Sequence, residues 1–170
     1  MASGPDLLAD GFGRIRGIVL DVLDGLSDAA LQYRVDADAN SICWLIWHLT
    51  RVQDDHVADA VGVPQVWLSG GWEERFALPL ESGDIGYGHT SDEVAAVRAP
   101  GGLLAEYHDA VYQQTVKVLR RLTEADMNKV VDEGWDPPVT MGVRLVSVLA
   151  DDLQHVGQAA FVRGLIERPA

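Results

Sequence analysis

The sequence predicts an all-α fold: a four-helix bundle with a long connection between its second and third helices. Apolar residues recur at spacings of three and four over four long stretches. Segments rich in Gly, Pro and Asp separate those stretches, and strand signals are weak throughout. The length, 170 residues, suits four long helices and one substantial connection, and it is the size of a single domain spanning residues 1–170.

The first helix is predicted over residues 5–25, with Leu8, Phe12, Ile15, Val19 and Val22 on one face. Pro5 suits its first turn, while Gly11, Gly13 and Gly17 weaken it by propensity, so packing must hold it. The second is predicted over 41–60, capped by Asn40 or Ser41 and stopped by Gly62 and Pro64. Its stripe reads Leu45, His48, Val52, Asp55. The connection over 63–101 holds Gly70-Gly71-Trp72, Pro79 and the Gly-rich run 83–88, with a short helix expected over 91–98, capped by Ser91 and Asp92. A connection of this length is usually functional. The third helix is predicted over 102–122, on a stripe of Leu104, Tyr107, Val111, Val118 and Leu122. Thr123 with Asp126 can then cap one further turn. The fourth is predicted over 140–166, after Pro137 and Pro138 and before Pro169, with the stripe Val148, Asp151, His155, Gln158, Val162.

Composition narrows the function classes. Acidic residues outnumber basic ones 26 to 13, for a formal charge of −13. That argues against nucleic acid and against anionic membranes, both of which call for clustered Lys and Arg. One cysteine, Cys43, excludes an intramolecular disulfide framework and a multi-thiolate metal site. The N-terminus lacks the pattern of a signal peptide, and no apolar run reaches the ~20 residues of a membrane span. The expectation is a cytoplasmic protein. Only Lys117 and Lys129 are lysines, an arginine bias that fits a GC-rich bacterial source.

The informative anomaly is polar. Asp151 and His155, four residues apart, share a helix face, and His48 sits between Leu45 and Val52 on the second helix, flanked by Trp44 and Trp47. A buried carboxylate must be paired or bind a metal. A shared divalent ion would satisfy all three residues. Two imidazoles and one carboxylate suit Zn²⁺, and also Ni²⁺ or Fe²⁺, and three protein ligands leave a position open as catalytic sites do. The other reading is a plain bundle in which Asp151 and His155 form an ion pair near His48. His56 and His108 read as solvated or capping residues, and His89 either reaches a pocket from the Gly-rich run or lies on the surface.

At these residues the chain is similar to the DinB/YfiT-like metal-binding proteins, in the thiol-dependent branch that includes mycothiol-dependent maleylpyruvate isomerase. The matching pieces are Trp47-His48-Leu49 with Arg51-Val52, then the run from Asp151 through His155 to Gln158, and Arg163-Gly164. The resemblance implies a four-helix bundle whose metal ligands here are His48, Asp151 and His155. It departs from the branch in having Asp151 where glutamate is usual. Aspartate is one methylene shorter, so Asp152 competes for the role. The chemistry implied is activation of a low-molecular-weight thiol, such as mycothiol or bacillithiol, at the metal, and its transfer to an electrophile or its use in isomerisation.

Three further residues are candidates for catalytic roles. Gln158 lies one turn beyond His155 and either bonds a ligand or joins helices. Asp55, seven residues from His48 and so ~10 Å along the axis, is either at the pocket mouth or a solvated carboxylate. Arg144, two turns before Asp151, either contacts a substrate carboxylate or makes an ion pair that shapes the bundle. Trp67, Trp72, Tyr87 and Trp135 line the open end or lid the core, Cys43 faces away from the ion as a packed residue, and Gly157 is a close-packing point between helices. The alternative to an enzyme is a metal-stabilised bundle that binds a partner or forms a homodimer, with Gly142, Gly157 and Gly164 allowing close approach.

Overall fold

A computed structural model describes residues 2–168. Helix α1 (Gly4–Leu23) begins at a capping box in which Ser3 and Asp6 each accept the other's backbone N–H. All five residues of its predicted stripe are buried. A one-turn helix, α2 (Asp28–Leu31), follows and was not foreseen. Helix α3 (Ile42–Val61) is capped by Ser41 and closed by Gly62 at φ 68°, as expected. It is buried nearly all round from Ile42 to Asp54, more than a single stripe allows. The connection then folds into α4 (Val66–Ser69), α5 (Trp72–Phe76) and α6 (Ser91–Ala96). The cap of α6 is Thr90, in a box with Glu93, rather than Ser91 and Asp92.

Helix α7 (Gly101–Leu119) buries Leu104, Tyr107 and Val111 as predicted, then Thr115 and Leu119 in place of Val118 and Leu122. The extra turn at Asp126–Asn128 is 3₁₀, with Thr123 and Asp126 bonded reciprocally. A two-stranded antiparallel ribbon, β1 (Val130–Asp132) and β2 (Val139–Thr140), precedes α8 (Met141–Ile166), capped by Thr140. Pro169 lies outside the described residues.

The four long helices form a closed ring: α3 packs on α8, α8 on α1, α1 on α7 and α7 on α3. At the α1–α8 contact a Cβ on Gly11 would come within 2.9 Å of Leu149 Cδ1, so a larger residue there requires that side chain to move. One correction concerns α8. Its core face runs Leu145, Val148, Asp152, Val156, Ala159, Val162. Asp151 and His155 flank that face half-buried, and Gln158 is exposed. The period was right, but its phase was displaced by about one residue. Gly157 is exposed too, and a Cβ there would meet nothing within 4 Å, so no helix among the described residues packs on it.

Candidate metal centre

Helix α3 presents His48, and α8 presents Asp151 and His155 one turn apart. One ligand atom from each of the three lies within 4.8 Å of the others. His48 is buried, and its ring lies edge-on to His155 with centroids 4.7 Å apart. Asp152, the competing carboxylate, points instead into the core, where it is wholly buried and neither oxygen has a hydrogen-bond partner. Burial, reinforced by the neighbouring Asp151, pushes its pKa well above the carboxylate range and so favours the neutral acid.

Backbone carbonyls orient both imidazoles. His48 Nδ1 donates to Ile85 O, and His155 Nδ1 donates to Asp151 O at 2.9 Å. A neutral ring bonded in this way carries its free lone pair on Nε2, which is how metal-binding histidines are usually held. Burial lowers the His48 pKa to about 4, against the opposing pull of Ile85 O, so this ring is neutral at pH 7. For His155 burial acts downward too, but the Asp151 carboxylate and carbonyl outweigh it and raise the pKa. Burial would raise Asp151, and His155, His48 and His56 hold it below its ordinary value instead. Asp151 Oδ2 lies 3.3 Å from His155 Nδ1 yet accepts no hydrogen bond, because the ring N–H is aimed at the carbonyl. An unsatisfied carboxylate oxygen beside two oriented imidazoles fits a divalent cation: the donor set is N₂O, with one ligand atom from each group within 4.8 Å of the others.

The Gly-rich run builds the wall of the site. Gly86 has φ 97°, and a Cβ there would lie 2.6 Å from His48 Nδ1, so glycine is required both for conformation and for space. Trp44 stacks on His48 at 4.5 Å, nearly parallel. Its indole N–H donates to His89 Nδ1 at 3.0 Å, and His89 Nε2 donates to Asp84 Oδ2 at 2.9 Å. Asp84 also accepts the N–H of Gly86 at 2.8 Å. Thus His89 is held in the wall rather than at the surface, its side chain 4% exposed. Nothing along the chain signals this series of hydrogen bonds beyond the proximity of His89 to a run of glycines.

Beneath it, Arg51 is wholly buried. Its guanidinium donates to Asp84 O, Gln65 Oε1 and the Tyr107 hydroxyl, and it lies 3.6 Å from Asp54 Oδ2. Asp54 accepts the N–H groups of Val66 and Trp67 and the Tyr107 hydroxyl. The connection is therefore tied to α3 just past His48. Asp55, a predicted site residue, belongs to the same network, accepting from Gln65 Nε2 at 2.6 Å and lying 3.5 Å from His56. Trp67 and Trp72 pack with Phe76 and Tyr107 in the core, whereas Trp135 is exposed.

A cavity of about 210 Å³ opens beside Asp151, lined by Val52, His56, Tyr87, Ser147 and Gln154 among others. Tyr87, 62% exposed, stands edge-on to His48 at 5.5 Å. His56 therefore faces this cavity rather than serving only as a solvated group. Arg144 is bonded to Asp132 Oδ2 at 2.6 Å, and its charge reaches His56 and Tyr87. Gln158 is not brought to the cavity: it lines a separate groove with Phe161. His108, expected to be solvated or capping, is instead fully buried, with Nδ1 3.1 Å from the Thr50 hydroxyl. Cys43 is buried as expected, and burial raises its thiol pKa to about 11, so it is inert. Among the described residues no helix is long and apolar enough to cross a membrane.

Comparison with known proteins agrees with this geometry. A crystal structure described as the conserved protein of locus from Enterococcus faecalis superposes with a TM-score of 0.86 at 32% sequence identity, covering 92% of this chain and 93% of that one. No curated protein matches. The family model described as mycothiol-S-transferase matches residues 7–168, a span that includes all three candidate ligands. On that match the chain belongs to the mycothiol-S-transferase family, among the DinB/YfiT-like proteins.

Proposed function

We propose that the chain, as one domain, is a metal-dependent transferase that moves a low-molecular-weight cytoplasmic thiol to an electrophile. The observation that carries the reading is the clustering of His48, Asp151 and His155, with one ligand atom of each within 4.8 Å of the others, beside a cavity. Zinc is the first choice of cation for two imidazoles and a carboxylate, with nickel or iron as competitors. Such a cation lowers the pKa of a thiol bound to it, making thiolate available at neutral pH.

The residues divide the remaining work. His48 and His155 offer Nε2 because their Nδ1–H groups are committed to carbonyls. Asp151 supplies a negative charge that partly neutralises the ion. Tyr87 and His56 line the approach, positioned to orient the thiol and receive its proton. Arg144, fixed by Asp132, offsets the acidic surroundings of the cavity. The inert Cys43 leaves the reactive sulfur to the substrate. Mycothiol is the thiol that the family name supports, with bacillithiol the chemical alternative.

The test is a thiol panel. Mycothiol, bacillithiol and glutathione are each incubated with a bimane electrophile and the protein, before and after chelation. The expected result is consumption of mycothiol above the others that stops on chelation and returns with zinc. Consumption indifferent to chelation, or none with any thiol, contradicts the proposal.

A further inference from the structure

The three candidate ligands lie partway along the seam between α3 and α8, and the seam is hollow on both sides of them. On one side is the cavity beside Asp151, which runs toward His56 and Ser147. On the other is a groove of about 490 Å³, within the ~300–1,000 Å³ of small-molecule sites. Leu45, one turn before His48 on α3, lines it, and α8 contributes Gln158 and Phe161, three and six residues past His155. At 1.5 Å per residue those lie ~5 and ~9 Å along the axis from that imidazole. Gln154 lines both hollows, so one molecule can reach from the groove to the three ligands.

The groove suits a polar body without charge. No described residue that lines it is ionisable, although charged residues make up 23% of the chain. The arginines that flank it in sequence are committed elsewhere. Arg34 donates to the carbonyls of Ala37 and Ala39 and to Ser91, and Arg163 to the carbonyls of Asp21, Val22 and Asp24. Asp36 and Asp38 are exposed on the segment that carries Val35 and Asn40 into the groove wall. A carboxylate entering here loses water, meets no cation and feels two aspartates. Hydroxyls and neutral amides fare differently. Asn40, Gln154 and Gln158 each bring a donor and an acceptor, and Phe161, 63% exposed, gives an apolar surface for the carbon face of a ring. Gly157 also lines the groove, inside a helix where glycine is disfavoured relative to alanine. A Cβ there would meet nothing within 4 Å, so no packing among the described residues calls for glycine. Its missing side chain opens the helix backbone to close approach by a ligand.

We infer that this groove seats the uncharged body of the thiol substrate, a polyol or glycoside, while its sulfur reaches the three ligands, and that the uncharged lining selects against thiols that carry carboxylates. The inference rests on the thiol-transferase reading of the site and adds which residues choose the thiol. The cavity beside Asp151 is left to the sulfur end and the electrophile. Mycothiol, an N-acetylated cysteine carried on an amino-sugar glycoside, is neutral apart from its thiol. Bacillithiol bears a malate dicarboxylate, and glutathione bears carboxylates at both ends, so the groove disfavours both.

Isothermal titration calorimetry of the full chain with S-methyl conjugates, which bind but cannot react, tests this. The protein is used zinc-loaded and after chelation. In both forms the S-methyl conjugate of mycothiol is expected to bind about tenfold or more tighter than those of bacillithiol and glutathione, whose carboxylates find no partner. Gln158→Lys, at an exposed position, supplies a cation and is expected to narrow the preference over bacillithiol about tenfold or more. Phe161→Ala is expected to weaken the mycothiol conjugate about tenfold through lost apolar contact. Gly157→Leu fills the groove and is expected to abolish its binding. Circular dichroism and zinc content, unchanged from the parent, show that the variants fold and load. A parent that keeps the preference but transfers no thiol supports the groove and sinks only the transferase reading. No binding of the mycothiol conjugate, equal affinity for all three, or a preference that survives both Gln158→Lys and Gly157→Leu overturns the inference.

Discussion

At the scale of single residues, the site depends on groups that hold ligands as much as on the ligands. Gly86 shows this most directly. Gly86→Ala places a methyl 2.6 Å from His48 Nδ1 on a backbone at positive φ. The strain is expected to cost about 1–3 kcal/mol of stability, and displacing Ile85 O removes the acceptor that orients the ring. Zinc affinity, measured against a competing chelator, should fall at least tenfold. His89→Phe keeps the flat ring between Trp44 and Trp47 but breaks the hydrogen bonds to Trp44 and Asp84. A loss of 10–100-fold in metal affinity is expected, as for other outer-shell partners of metal-bound histidine, with the fold intact by circular dichroism. Retained affinity would reduce the chain Trp44–His89–Asp84 to packing. The three ligand candidates were legible in the sequence because i and i+4 on one helix face is a local relation. His89 was not, because its partners lie 45 residues back and five residues away, brought together only when the run over 83–89 folds over α3.

At the scale of elements, α3 is the spine. It supplies His48 toward α8, and through Arg51 and Asp54 it anchors the connection that covers the site. Arg51 is a buried charge whose nearest anion is Asp54, and Asp54 also accepts both N–H groups at the start of α4. Removing one partner of a buried pair typically costs 3–5 kcal/mol, since the other is left uncompensated. Asp54→Ala is therefore expected to destabilise the protein by about that amount in urea unfolding and to loosen the segment over 63–90, read as faster amide exchange there. The four long helices were legible to within a few residues because each has a period, and all but α7 a side-chain cap. The phase of α8 was not. Its polar residues Asp151, Asp152 and His155 fall on adjacent angles, and the sequence alone does not say which of two neighbouring aspartates faces the core. The short helices of the connection escaped too: α4 owes its start to Asp54, a tertiary partner, and α5 has no side-chain cap.

At the scale of the whole molecule, acid is the condition that should unfold the chain. His108 is fully buried between α7 and α3, and burial lowers its pKa to about 4 from an ordinary 6.5. The unfolded chain binds the proton first, so stability is unaffected by this group above pH 6.5. It falls between pH 6.5 and about 4, and this group adds no further loss below that. His108→Gln removes this dependence. Between pH 7.5 and 4.5 the variant is expected to lose about 2 kcal/mol less than the parent in urea unfolding. An equal loss would mean that His108 is already charged or solvated in the native state. The formal charge of −13 acts on the same scale. It disfavours nucleic acid, which calls for clustered Lys and Arg.

The central claim is that His48, Asp151 and His155 hold one cation and that thiol transfer depends on it. The direct measurement is a zinc titration of the apoprotein in which bound metal and mycothiol consumption are read from the same samples. Activity should rise in proportion to occupancy and level off at one ion per chain, and His48→Ala and Asp151→Ala should each fail to load at that stoichiometry. Variants that load zinc as fully as the parent, or transfer that proceeds at the full rate before any zinc is bound, would contradict it.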